Sequence, residues 1–205
     1  FLDMGLTSAI LHKKNISKNE FNSIYWLNIF IAIILYILMY VSAPMVSVFY
    51  NEAALSNIIP VLGLNVILVA LGRQHQTIFQ KQLLFKKIAL VEIFSFLTGL
   101  IIAIYLAVMG YGVYSLIYST LIKSLLANII FFLLSSKKHS VRFHFKLSET
   151  KSFLKVGGFT MGSSLLDFFS RETDVLIIGK LLGPEKLGVY SLSKQLVLKL
   201  YATIT

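Results

Sequence analysis

Residues 152–183 read SFLKVGGFTMGSSLLDFFSRETDVLIIGKLLG, a stretch long and apolar enough to cross a bilayer that still carries Asp167, Arg171, Glu172 and Asp174 in its middle. At about 100° per residue, Thr160, Ser163, Ser164, Ser170, Arg171 and Asp174 all fall within roughly 60° of Asp167 on a helical wheel. One face is therefore a polar stripe, and the rest of the circumference carries Leu165, Leu166, Phe168, Phe169, Val175, Leu176 and Ile177. Such a helix needs hydrocarbon or packed protein on one side and water or charge partners on the other. That requirement predicts an all-α fold, a polytopic transmembrane helix bundle around a wet interior.

The surrounding chain agrees. Of 205 residues 57% are hydrophobic and only three are proline, and the mean hydropathy of +0.79 lies outside the range of soluble domains. A formal net charge of +10 would suit nucleic acid, but the basic residues sit in short loops between apolar runs, with no basic amphipathic face or interleaved aromatics, which excludes that partner. The absence of cysteine leaves no disulfide framework, and His12, His75, His139 and His144 have no metal-ligand spacing. No catalytic constellation and no cofactor motif is present. The histidines belong to or border the basic loops, where a solvated or lipid-headgroup contact is expected. Phe1 and Thr205 both lie in apolar runs, so the ends read as cut from a longer protein.

Spans are expected over residues 22–49, 58–79, 88–109, 113–134 and 152–183, with 1–10 as the tail of an earlier helix and 187–205 as the beginning of a later one. Tyr25 and Trp26 fall where an interfacial aromatic belt would sit, and Pro44 is expected to kink or end its span. Gly99, Ala103 and Ala107 form a small-residue ridge for close helix packing, and Gly110-Tyr111-Gly112 is a turn. From Ser148, an expected N-cap, to Gly183 a helix would extend roughly 52 Å, beyond a hydrocarbon core of about 30 Å. A break is therefore expected at Gly157-Gly158, leaving 149–156 as a short interfacial helix, and Gly183-Pro184 ends the charged span. The connections alternate between basic and nearly bare. Lys and Arg concentrate on the cytoplasmic side, which places 11–21, 80–88 and 135–152 in the cytoplasm and 50–57, 109–113 and 183–187 outside.

Several charges are costly where they lie. Lys123 sits near the middle of its span with Ser119 and Thr120 on its face, too deep for its stem to reach the interface, so a cavity-facing or ion-paired role is expected. Arg73 suits a cavity or the cytoplasmic interface equally, and Glu92 reads as a partner for Lys87. For Asp167, Arg171 and Asp174 two readings stand. One is a ladder in which Arg171 meets both carboxylates on its own helix; the other is a charged lining for a solute path. Glu172 points away from the stripe, toward another helix or the outer surface.

The motifs Asp3-Met4-Gly5-Leu6-Thr7-Ser8-Ala9, Tyr25-Trp26-Leu27-Asn28, Phe85-Lys86-Lys87 with Ala89 and Glu92, and Gly110-Tyr111-Gly112-Val113 occur in that order, followed by Arg171, Asp174, Ile178, Gly179, Lys180, Gly183 and Leu187-Gly188-Val189-Tyr190-Ser191-Leu192. Together they resemble the polysaccharide exporters, or lipid-linked oligosaccharide flippases, of the multidrug/oligosaccharidyl-lipid/polysaccharide superfamily, nearest its colanic-acid and teichuronic-acid branch. The resemblance implies a multi-pass protein of the bacterial inner membrane with twelve to fourteen helices in two lobes. Residues 1–134 would belong to the N-terminal lobe, 135–151 would be a cytoplasmic linker, and 152–205 would open the C-terminal lobe. It implies a substrate built as an oligosaccharide on a polyprenyl diphosphate, flipped by alternating access among membrane lipids and coupled to H+ or Na+; the charges singled out above, Lys123, Arg73, Asp167, Arg171 and Asp174, are the candidates for its path. A multidrug or lipid II exporter of the same superfamily, and a membrane-embedded biosynthetic enzyme, are the competing readings.

Overall fold

The computed structural model describes residue 10 and residues 16–136 and 142–204. Helix α1 (Lys18–Tyr50) begins where Ser17-Lys18-Asn19-Glu20 makes a capping box: the Glu20 N–H donates to Ser17 Oγ at 3.2 Å and the Ser17 N–H donates to Glu20 Oε2 at 3.1 Å. It ends on Asn51, whose left-handed backbone (φ 56) returns its N–H to the last turn. A helix of 33 residues is about 50 Å long, so its polar first turns stand outside the hydrocarbon. It does not end at Pro44, one of the two outcomes expected there. Only one backbone bond is lost there, and neighbouring helices make such a loss tolerable within a membrane.

Helices α2 (Leu55–Lys81), α3 (Phe85–Val108) and α4 (Val113–Ser136) follow, the last two joined across Gly110 (φ 86) and Gly112 (φ 52). Together with α1 they are, among the described residues, the four helices long and apolar enough to cross a membrane. The chain is an all-α, multi-pass membrane protein, and these four spans lie within a few residues of their expected positions.

Helix α5 (Leu147–Ile204) is continuous through Gly157-Gly158, where a break was expected, and breaks at Gly183, as expected, where φ 79 and ψ 175 precede Pro184. Each helical glycine costs only about 1 kcal/mol relative to alanine, which packed neighbours outweigh. A Gly-Pro step couples a backbone region open to glycine with a residue that cannot donate. The expected length conflict disappears because the first turns of α5 lie beside the polar first turns of α1, outside the hydrocarbon. Ser148, expected to cap, is the second residue of the helix. Its charges, Asp167, Arg171, Glu172, Asp174 and Lys180, keep α5 off the count made by apolarity alone.

In space the order is α5, α1, α2, α4, α3, each helix packed on the next. Polar and small groups point inward: Ser23, His75 and Ser95 are fully buried, whereas Met45, Val48 and Val108 are 73–84% exposed. This inverted pattern is the one a lipid solvent selects. The α2/α4 contact is closest at Gly72, where a Cβ would lie 2.0 Å from Asn128 Oδ1 and 2.4 Å from Asn128 Cβ, while Asn128 Nδ2 donates to the Leu68 carbonyl at 2.7 Å. Of the small-residue ridge, Gly99 is buried against Ser119 and Lys123 of α4, Ala103 is half-buried and Ala107 is exposed.

Helix α5 runs parallel to α1 and touches it at both ends. At the first end the Lys146 N–H donates to Ser23 Oγ at 3.1 Å, Ser23 Oγ–H donates to Glu149 Oε2 at 2.6 Å, the Arg142 N–H donates to Asn22 Oδ1 at 3.2 Å, and Phe153 packs with Ile24 and Ile10. At the other end Lys180 Nζ donates to the Phe49 carbonyl, and a Cβ on Gly179 would meet Tyr50 at 3.1 Å. Lys81 Nζ in turn donates to the Ile10 carbonyl at 3.2 Å, so the described residues that flank the three basic connections gather at one end of the bundle. Tyr25 and Trp26 form no lipid-facing belt. Tyr25 is buried against His75, and Trp26 meets Phe143 edge-to-face and donates its indole N–H to the Arg142 carbonyl at 3.2 Å.

Candidate functional site: charges within the helix bundle

Two groups of charged residues stand apart from the basic end. The first lines a cleft of about 600 Å³ between α2, α3 and α4, with Arg73, Gln76, Glu92, Phe96, Lys123 and Asn128 on its walls. Helical periodicity explains the grouping on α2, since Arg73 and Gln76 are one turn apart. Arg73 Nη1 donates to Gln76 Oε1 at 3.3 Å, and Gln76 Nε2 donates to Glu92 Oε1 at 2.8 Å, a chain that links a cation to a carboxylate through an amide. Glu92 is thereby tied to Gln76 across the helix pair and not, as its sequence position suggested, to Lys87. Lys123 extends over the face of Phe96, 5.2 Å from the ring centroid, and has no ion pair among the described residues. The cleft brings Lys123 and Arg73 together, as a cavity-facing role requires.

The second group is built by the break at Gly183, which folds the end of α5 back on its charged middle. Lys194 Nζ donates to Asp174 Oδ1 at 2.9 Å, to Glu172 Oε2 at 3.5 Å and to the Arg171 carbonyl, and the Tyr190 hydroxyl donates to Asp174 Oδ2. The ladder within one helix is thus replaced by pairing across the break. Arg171 joins neither carboxylate, Asp167 and Arg171 are exposed on α5, and Glu172 meets another helical segment as expected. Neither Lys194 nor Tyr190 is among the path residues expected from the sequence. Their i,i+4 spacing beyond a Gly-Pro break was the available signal. Among the described residues, none of α5 lines the first cleft.

The histidines also part company with expectation. His75 is fully buried, its ring edge-on to Phe21, Tyr25 and Phe132 at centroid distances of 6.0, 5.8 and 5.1 Å. His144 does lie at the basic end, 3.1 Å from Glu149; His12 and His139 fall outside the described residues.

A bundle of apolar spans, with Lys123 and Arg73 on the wall of a cleft between them, defines a multi-pass membrane protein. Comparison with known proteins makes the assignment specific: a family profile described as polysaccharide biosynthesis protein matches residues 1–205, and the chain belongs to that family. Among curated relatives, the teichuronic acid biosynthesis protein TuaB of Bacillus subtilis is 30% identical over 201 residues, 96% of this chain and 41% of the relative. The lipopolysaccharide biosynthesis protein WzxC of Escherichia coli is 24% identical over 191 residues, 93% of this chain and 39% of the relative. The succinoglycan biosynthesis transport protein ExoT of Rhizobium meliloti is 24% identical over 187 residues, 91% of this chain and 37% of the relative. The chain therefore spans about two fifths of the length of these relatives. No solved structure matches it.

Proposed function

We propose that this chain is part of a polysaccharide exporter, a transporter and not an enzyme, that moves an oligosaccharide on a polyprenyl diphosphate from the cytoplasmic to the outer leaflet by alternating access. The observation that carries this reading is Lys123, an ammonium deep in an apolar span that faces a polar cleft beside Arg73. Charges at that depth are retained for a solute path or a partner, and a diphosphate is the anion that cationic clefts suit. Membership of the polysaccharide biosynthesis family and a relative named as a transport protein support the same class. In this reading residues 1–134 belong to one lobe, 135–151 link the lobes in the cytoplasm, and α5 opens the second, presenting Asp167 and Arg171 toward the path. Asp174 is held by Lys194 and Tyr190, which leaves Asp167 as the carboxylate for a coupled H+ or Na+.

The test is complementation. In a strain lacking its own exporter, the full-length protein should restore surface polysaccharide, and Lys123→Ala or Arg171→Ala should reduce it to background while membrane insertion stays normal. Wild-type levels of surface polymer from both variants would refute the role of these cations.

A further inference from the structure

Trp26 does not face lipid, because the segment that leads into α5 is fastened over it. We infer that residues 142–147 form a preorganised anchor for an anionic lipid leaflet, with Phe143, Phe145 and Leu147 entering the headgroup layer and Arg142 and Lys146 meeting lipid phosphates. Neither the cations of the α2/α3/α4 cleft nor the exported sugar enters into it.

The backbone of the segment is fixed to the first turns of α1. The Arg142 N–H donates to Asn22 Oδ1 at 3.2 Å, the Arg142 carbonyl accepts the Trp26 indole N–H at 3.2 Å, and the Lys146 N–H donates to Ser23 Oγ at 3.1 Å. These partners lie three to seven residues before Ile29, where the uninterrupted apolar run of α1 begins. Along a helix axis that separation is about 5–10 Å. The segment is therefore held at the depth of the headgroup layer, which adds about 5–8 Å to each side of the hydrocarbon.

With the main chain bonded to α1, the side chains turn outward. Phe143 is 84% exposed, Phe145 49% and Leu147 61%, and they alternate with Arg142, His144 and Lys146. Large apolar groups at that depth gain by entering the boundary between headgroups and acyl chains. Charge gives the sign of the partner. The one acid of residues 142–151, Glu149, is turned toward Ser23 and His144, so the exposed charges are those of Arg142, Lys146 and Lys151. Such a face is complementary to lipid phosphates.

The test uses the full-length protein in vesicles, with an apolar nitroxide attached at Phe145→Cys. Its collisions are read with oxygen, which dissolves in lipid, and with a neutral nickel chelate, which stays in water. In phosphatidylglycerol the label should be open to oxygen and shielded from nickel, and in phosphatidylcholine it should be less shielded. Arg142→Gln combined with Lys146→Gln removes two charges and keeps the contacts with α1, because these use main-chain groups of the segment. That pair should lower the ratio of inserted to exposed label in phosphatidylglycerol about fivefold per charge, and Arg142→Lys should retain it. Access to nickel in both lipids would show a solvated segment, and shielding from both oxygen and nickel would show a protein cover. Equal insertion in both lipids, or no response to the double variant, would show that charge plays no part. Each of these overturns the anchor. Surface polysaccharide is not the readout, so a failure here is distinct from a failure of the export reading.

Discussion

Glu149 joins the two parts of the chain through a single carboxylate. It stands at the basic end, outside the hydrocarbon, and accepts the Ser23 hydroxyl at 2.6 Å with His144 at 3.1 Å. The Ser23 hydrogen bond, followed by the His144 hydrogen bond and the charges of His144 and Lys146, holds its carboxyl below the ordinary range against the opposing effect of desolvation. A depressed carboxylate contributes stability that is present above the ordinary carboxylate range and lost as the pH falls through the lowered value. Acidification should therefore release residues 142–149 from α1. Trp26, which meets Phe143 edge-to-face, reports the release: its emission should shift on acidification in the wild type and show no such acid transition in Glu149→Gln. An identical transition in both would locate the titrating group elsewhere. Serine at position 23 and glutamate at position 149 are readable as polar residues beside basic loops, but nothing in their separation of 126 residues announces that they bond. Glu92 teaches the same lesson, since the nearest charge along the chain, Lys87, is not the group it meets.

At the scale of elements, the spans and the Gly110-Gly112 turn were legible because apolar length is fixed by the bilayer and turn chemistry is local. The two glycine steps in α5 were not equivalent. Gly157-Gly158 is weak punctuation that a packed helix overrides, whereas Gly183-Pro184 combines a positive φ with a missing donor and ends the helix. Gly183→Ala would force a side chain into a backbone region that is nearly glycine-only, at about 1–3 kcal/mol, and should pull Lys194 away from Asp174. Spin labels at Glu172 and Ser193 should then show a longer or broader distance distribution than in the wild type; an unchanged distribution would mean that packing alone holds the two segments together.

For the whole molecule, the contacts of α5 with α1 at both ends fix which connections share a side. Asn51 and Glu185 should label from one side of the membrane as single cysteines, and Lys86 from the other, with Lys86 cytoplasmic if the basic end follows the usual charge bias. Labelling of all three from one side would overturn the arrangement. The sequence by itself determined the solvent, the all-α class, the approximate positions of four apolar spans and the presence of costly charges, because each follows from composition and length along a contiguous segment. Only the tertiary structure decided which charges meet. Lys123 joined Arg73 in a cleft, Asp174 took Lys194 in place of Arg171, and Arg171 was left exposed. Partnership between helices depends on how their faces rotate and pack, and a single helix's periodicity names the face without naming its neighbour.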